Sequence, residues 1–184
     1  MKMATKTRRW TRADLERLPD DGNRYEVLDG ELFVTPQAAF DHQFIALELA
    51  TALRTYCNCY DLGVVVGPGA VVFGKNELQP DVHVVPGPRP PRGTKWAELP
   101  IPLLVAEVLS DSTGGRDLGK KREAYLRINI PTYWVVDADE RRVFVWTRSS
   151  PEPVTVSDVL RWQPRGDLPP LEISLETLFG VATA

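Results

Sequence analysis

Three carboxylates lie inside apolar stretches of this 184-residue chain. Asp81 opens "DVHVVP", Glu107 interrupts "LLVAEVLS", and Glu26 lies within "YEVLDG". Acids are seldom fully buried unless paired, so each either faces solvent at a strand end or meets a cation or donors inside. Oxygen donors in a cluster suit hard cations such as Mg²⁺ or Mn²⁺. Asp81 and Glu107, on neighbouring strands, are the expected metal pair. Lys121 and Tyr125 follow in "DLGKKREAY", four apart and so on one helix face with Asp117. A lysine that reaches a metal site can hold water or stabilise the charge that develops on a phosphoryl group. The plain alternative for Lys120 and Lys121 is a solvated helix face.

Two histidines offer further chemistry. His42, in the first turn of a predicted helix, is matched to proton transfer near neutral pH. His83 shares a strand face with Asp81 and could touch a metal shell, though imidazole is softer than Mg²⁺ prefers. Cys57 and Cys59 form a C-x-C pair with no second pair to complete a zinc centre, and read as thiols at a helix end.

These residues need elements to hold them. "WTRADLERLP" predicts a short helix capped by Thr11 and ended by Pro19. "RYEVLDGELFVTP" predicts a hairpin turning on Asp29-Gly30. "AAFDHQFIALELATALRTY" predicts the longest helix, with Ile45, Leu49, Ala52, Leu53 and Tyr56 on its apolar face. "LGVVVGPGAVVF" predicts two strands around Gly67-Pro68-Gly69, and "DVHVVP" another. "PLLVAEVLS" is a near-continuous apolar run, as a central strand covered on both faces would be. A helix carrying Lys121, a "PTYWVVD"/"RRVFVWTR" hairpin and a β-rich tail complete an α/β domain with a mixed central sheet flanked by helices.

Composition narrows the class. Charged residues make up 26% and hydrophobic residues 43%, ordinary for a single soluble domain. No apolar run reaches the roughly 20 residues of a membrane span, and the basic N-terminus lacks the apolar core of a signal peptide. The expectation is a cytoplasmic protein. A net charge of −3 argues against a general nucleic-acid coat but leaves room for a local basic groove.

Pro80-Asp81, then Glu107 in an apolar strand, then a helical lysine resembles the PD-(D/E)xK nuclease superfamily. With "YEVLDGEL", "TP" followed by His42, "QPDV", "VAEVLS", "DLGKKREAY" and "YWVVD", the chain is similar to its Uma-type branch over about residues 10–179. The resemblance implies a restriction-endonuclease-like α/β fold and a Mg²⁺- or Mn²⁺-dependent endonuclease that hydrolyses DNA. Asp81 and Glu107 would hold the metal, Lys121 would be the catalytic lysine, and Glu26 the acid from the N-terminal part. His42 and Tyr125 are possible accessories, and Arg116, Lys120 and Arg122 could contact backbone phosphates. A homodimer would give the two active centres that double-strand cleavage needs; Trp134, Phe144 and Trp146 read as core rather than interface. The strict motif places lysine two residues after the second acid, where this chain has Leu109, so Lys121 must reach in from the following helix. Two other readings stay open. One is an inert binding or structural module of the same fold. The other has the acids bracing the sheet through buried pairs with Arg24 or Lys121.

Overall fold

The computed structural model of the chain describes residues 9–110, 115 and 117–180. The elements run α1 (Arg12–Leu15), β1 (Arg24–Leu28), β2 (Glu31–Thr35), α2 (Phe40–Cys59), β3 (Gly63–Val66), β4 (Val71–Phe73), β5 (Asn76–Leu78) and β6 (Val82–Pro86). After the 3₁₀ turn Trp96–Glu98 come β7 (Leu104–Val108), a π-helical turn (Asp117–Lys121), α3 (Arg122–Arg127), β8 (Thr132–Asp137) and β9 (Arg142–Thr147). The tail is β10 (Ser150–Val156), β11 (Val159–Trp162), β12 (Leu171–Ser174) and α4 (Leu175–Leu178).

A six-stranded sheet in the order β10-β9-β8-β7-β6-β3 forms the centre. Strands β7 and β8 run parallel, and the other pairs are antiparallel. Parallel neighbours require a crossover, and here the crossover carries the π turn and α3. Every residue of β7 is buried, Glu107 included, as its near-continuous apolar run predicts.

Alternation along the strands divides the core in two. Val82, Val84, Leu104, Ala106 and Trp134 meet Leu49 and Leu53 of α2. Val105, Tyr133, Val135 and Trp146 meet Leu28, Val71 and Leu78, together with Ala124 and Tyr125 of α3. The predicted apolar face of α2 holds: Ile45, Leu49, Leu53 and Tyr56 are buried, with Ala52 packed at the margin. Trp134 is a core side chain on the α2 face and Trp146 on the α3 face, with Phe144 packed beside Trp146.

A second sheet, β2-β1-β5-β4, lies on the α3 side. Its β1–β2 hairpin turns on Asp29 (φ 51°) and Gly30 (φ 90°), the two positive values a type I′ turn requires. The strands on either side of Gly67-Pro68-Gly69 do not pair with each other. That turn passes the chain from β3 in the central sheet to β4 in the second sheet. Beyond β4 the chain forms a further hairpin with β5. The cysteines are both free thiols at the end of α2; burial pushes Cys57 up to about 11, and Cys59 is exposed.

Candidate active site

The site is built by strand register. Val82 lies opposite Ala106 and His83 opposite Val105 across antiparallel β6 and β7. Asp81 stands just before β6 and meets the end of β7, where the Val108 N–H beside Glu107 donates to it. Both side chains are buried on the face turned towards the second sheet. On that facing sheet, β1 contributes Arg24 and Glu26, and α2 brings His42 from its first turn.

Asp81 is held from three directions. Arg24 Nη1 lies 2.7 Å from Oδ1, His42 Nε2 lies 3.2 Å from Oδ2, and the Val108 N–H donates to Oδ2 at 2.8 Å. Burial alone would raise its pKa. The His42 hydrogen bond, the Arg24 charge and the Val108 N–H outweigh burial and hold Asp81 at about 2. Arg24 also donates to the Gln79 carbonyl at 2.9 Å. Burial opposes its charge, but Asp81, Glu107 and Glu26 together hold the guanidinium above its ordinary value.

Lys121 is the second centre. Its Nζ lies 2.9 Å from Glu107 Oε1 and 2.9 Å from Glu26 Oε1, and its side chain is 1% exposed. Tyr125 OH donates to the same Glu107 oxygen at 3.0 Å, so the spacing of four residues does place both donors on one carboxylate. Burial, then the Glu107 charge, raises the Tyr125 hydroxyl well above its ordinary value, so it serves as a proton donor in the bond. The Gln79 N–H donates to Glu26 Oε1 at 2.7 Å.

The structure therefore brings together Asp81, Glu107, Glu26, Lys121, Tyr125 and His42. It leaves His83 out of this group: the ring lies against Trp96, 6.2 Å between centroids, with Nδ1 buried and without a hydrogen-bond partner among the described residues. Lys120 is exposed and paired with Glu31, over the Phe33 ring. Arg122 lies beside Glu123, 3.6 Å away. Arg116 and the Asp117 side chain lie outside the described residues. Two donors had no signature in the sequence, the backbone N–H groups of Gln79 and Val108, because a main-chain donor is the same at every residue but proline.

The site opens to solvent through a cleft of about 250 Å³, lined by Asp81, Arg24, Gln79, Gln43 and Pro68 among others. A carboxylate offers about four lone pairs. Asp81 uses three, which leaves Oδ1 room for one more partner. Among the described residues, no three His, Cys, Asp or Glu side chains form a metal-ligating group. The donor set still fits a hard cation of the Mg²⁺ type, which takes one or two carboxylates and completes its shell with water and substrate oxygens.

Comparison with known proteins agrees with this architecture. The sequence model of the Uma2 family, described as "Putative restriction endonuclease", matches residues 12–179. An uncharacterized protein of Synechocystis sp. is 32% identical over 107 residues, covering 55% of this chain and 54% of that one. The match thus spans about half the length of that relative. A solved structure from Anabaena variabilis, a "putative nuclease belonging to DUF820", superposes with a TM-score of 0.76 at 20% identity, covering 92% of this chain and 97% of the other. It shares the fold. With a family match running from α1 to the end of α4, the chain belongs to the Uma2 family of restriction-endonuclease-like proteins.

Proposed function

We propose that the chain is a Mg²⁺- or Mn²⁺-dependent endonuclease that hydrolyses phosphodiester bonds of DNA. One observation carries the reading: two buried acids, Asp81 at the entry to β6 and Glu107 in the neighbouring β7, with a buried lysine on the second of them. Asp81 and Glu107 would hold the cation. When bound, it supplies Lewis acidity at the scissile phosphate and a more acidic water.

The chain's own residues do the rest. Lys121 presents an ammonium beside Glu107 that can hold a water or steady the charge growing on phosphate oxygens. Tyr125 fixes the Glu107 carboxylate against that lysine. Glu26 holds Lys121 from the opposite sheet. His42 directs Nε2 at Asp81 and helps hold that carboxylate, while its buried Nδ1 has no hydrogen-bond partner among the described residues. In formal charge, three carboxylates against Arg24 and Lys121 leave the centre one negative charge. A divalent cation reverses that sign and suits a phosphodiester anion.

A second reading is favoured by the same ion pairs. Arg24 and Lys121 already neutralise the acids, as they would in an inert module that keeps the fold. Cleavage assays with Mg²⁺ or Mn²⁺ on plasmid and single-stranded DNA decide between the two. Asp81→Ala and Lys121→Ala are expected to abolish cutting by a protein that otherwise cuts; undiminished cleavage by both variants sinks the nuclease reading. A folded wild type that neither cuts nor binds Mn²⁺ in calorimetry supports the inert one. A homodimer belongs to the same proposal, since two centres are needed to cut both strands; light scattering on the purified chain tests it.

A further inference from the structure

A second concavity lies along the same sheet face as Asp81. Val64 pairs with Val85 and Val66 with His83 across β3 and β6, so these four side chains share one face. Asp81 belongs to that face too, two residues and about 7 Å of strand from His83. The proline-rich loop after β6 folds over it and leaves a groove of about 790 Å³. Arg89, Arg92, Thr94 and Trp96 line its walls, with Val64 and Val85 in the floor.

Trp96 is 43% exposed, whereas Trp134, Trp146 and Trp162 are buried. Its ring packs on the turn that leads back to the catalytic cleft. A Cβ on Gly69 would lie 2.6 Å from Trp96 Cη2, so this close seating needs glycine. The neighbouring Pro68 lines the cleft at Asp81. Arg89 and Arg92 are exposed, and among the described residues neither has a carboxylate partner. Among the described residues no acid lines the groove. By contrast, Lys120, Arg122 and Arg127 each have an acidic neighbour.

We propose that this groove binds single-stranded nucleic acid next to the cleavage centre, stacking one base on Trp96 and holding backbone phosphates with Arg89 and Arg92. A half-exposed indole sharing a groove with two guanidinium groups that have no carboxylate partner among the described residues has the two parts such binding uses, a stacking face and cations that track the backbone. The stacking face is open to any base, so the groove selects unpaired strand rather than sequence. A duplex keeps its bases stacked on one another and offers none to Trp96. The proposal rests on the nuclease reading for the identity of its ligand, and makes the substrate one with an unpaired stretch beside the scissile bond.

The test is titration of the full chain with a short oligothymidylate and with a blunt duplex, in chelator so that nothing is cut. Tryptophan emission is expected to fall with the oligothymidylate and to change little with the duplex. Trp96→Ala should raise the Kd for the single strand about tenfold or more. Arg89→Ala/Arg92→Ala should flatten the dependence of log K on log salt by about 1.4, the loss of two phosphate contacts. The arginine pair is exposed, so this variant keeps the test decisive even where Trp96→Ala disturbs the loop. Wild-type binding by both variants, or equal binding of duplex, overturns the groove. Such a result from a protein that still cuts DNA leaves the nuclease reading standing. Quenching through Trp96 by a protein that cuts nothing keeps the groove and removes the nuclease.

Discussion

Lys121 Nζ stands 2.9 Å from Glu107 Oε1, and the pair is buried although both side chains carry formal charge. The same ammonium reaches Glu26 from the other sheet. Replacing it by methionine leaves two carboxylates facing each other with no cation between them. Removing one member of a buried pair costs about 3–5 kcal/mol. Lys121→Met should lose stability on that scale in urea unfolding, and Lys121→Met/Glu26→Gln should regain part of it. A loss below about 1 kcal/mol for the single variant would show that the pair does not brace the fold.

Stability should fall over two successive ranges as pH drops. His83 is pushed down to about 4 from 6.5 by burial. Between those values the unfolded chain takes a proton that the native chain refuses, so stability falls as pH drops from about 6.5 to 4, by about 3 kcal/mol. Asp81 is held at about 2 against 3.8. Its contribution is fully present above the unfolded value and disappears as pH falls from about 4 to 2, by about 2 kcal/mol. Urea midpoints across this range measure both. His83→Leu should flatten the upper stage and Asp81→Asn the lower. Asp81→Asn should also lower stability at neutral pH, because Arg24 and His42 already relieve any carboxylate repulsion that the substitution would remove. An unchanged profile in His83→Leu would show that His83 does not set the upper stage.

Tyr125→Phe removes one donor to Glu107 and keeps the ring that packs on Tyr133, 5.0 Å between centroids. A hydrogen bond to a charged group contributes about 1.5–3 kcal/mol, and the melting temperature should fall accordingly. In a cutting enzyme, kcat should fall while KM for DNA holds, since the hydroxyl positions the acid and does not line the cleft. A rise in KM alone would contradict that positioning role.

Much of this centre was legible in sequence because its positions obey simple periods. Asp81 and Glu107 interrupt apolar strands, and Lys121 and Tyr125 stand one helical turn apart. Asp-Gly announced its hairpin. Arg24 and Lys121 were foreseeable partners, because buried acids call for cations. The second sheet was harder to see. Strands β4 and β5 have three residues each, and "NEL" shows no β-pattern of its own. Gly67-Pro68-Gly69 carries the signal of a turn but not of a change of sheet. His83 has the right parity to join Asp81, yet strand rise carries it along the face to Trp96. The basic groove was readable only in hindsight, from "RPPR" shortly before an exposed tryptophan.

The parallel pairing of β7 with β8 has one more consequence. A lysine two residues after Glu107 would be locked to the pleat of the same strand, and any insertion between them would turn it to the other face. Here the lysine arrives on the crossover that parallel pairing demands. Its aim is set by the helical turn it shares with Tyr125, one turn on, and not by the pleat. The sheet places the acids and the crossover places their counter-charge, so two different kinds of periodicity meet on one carboxylate.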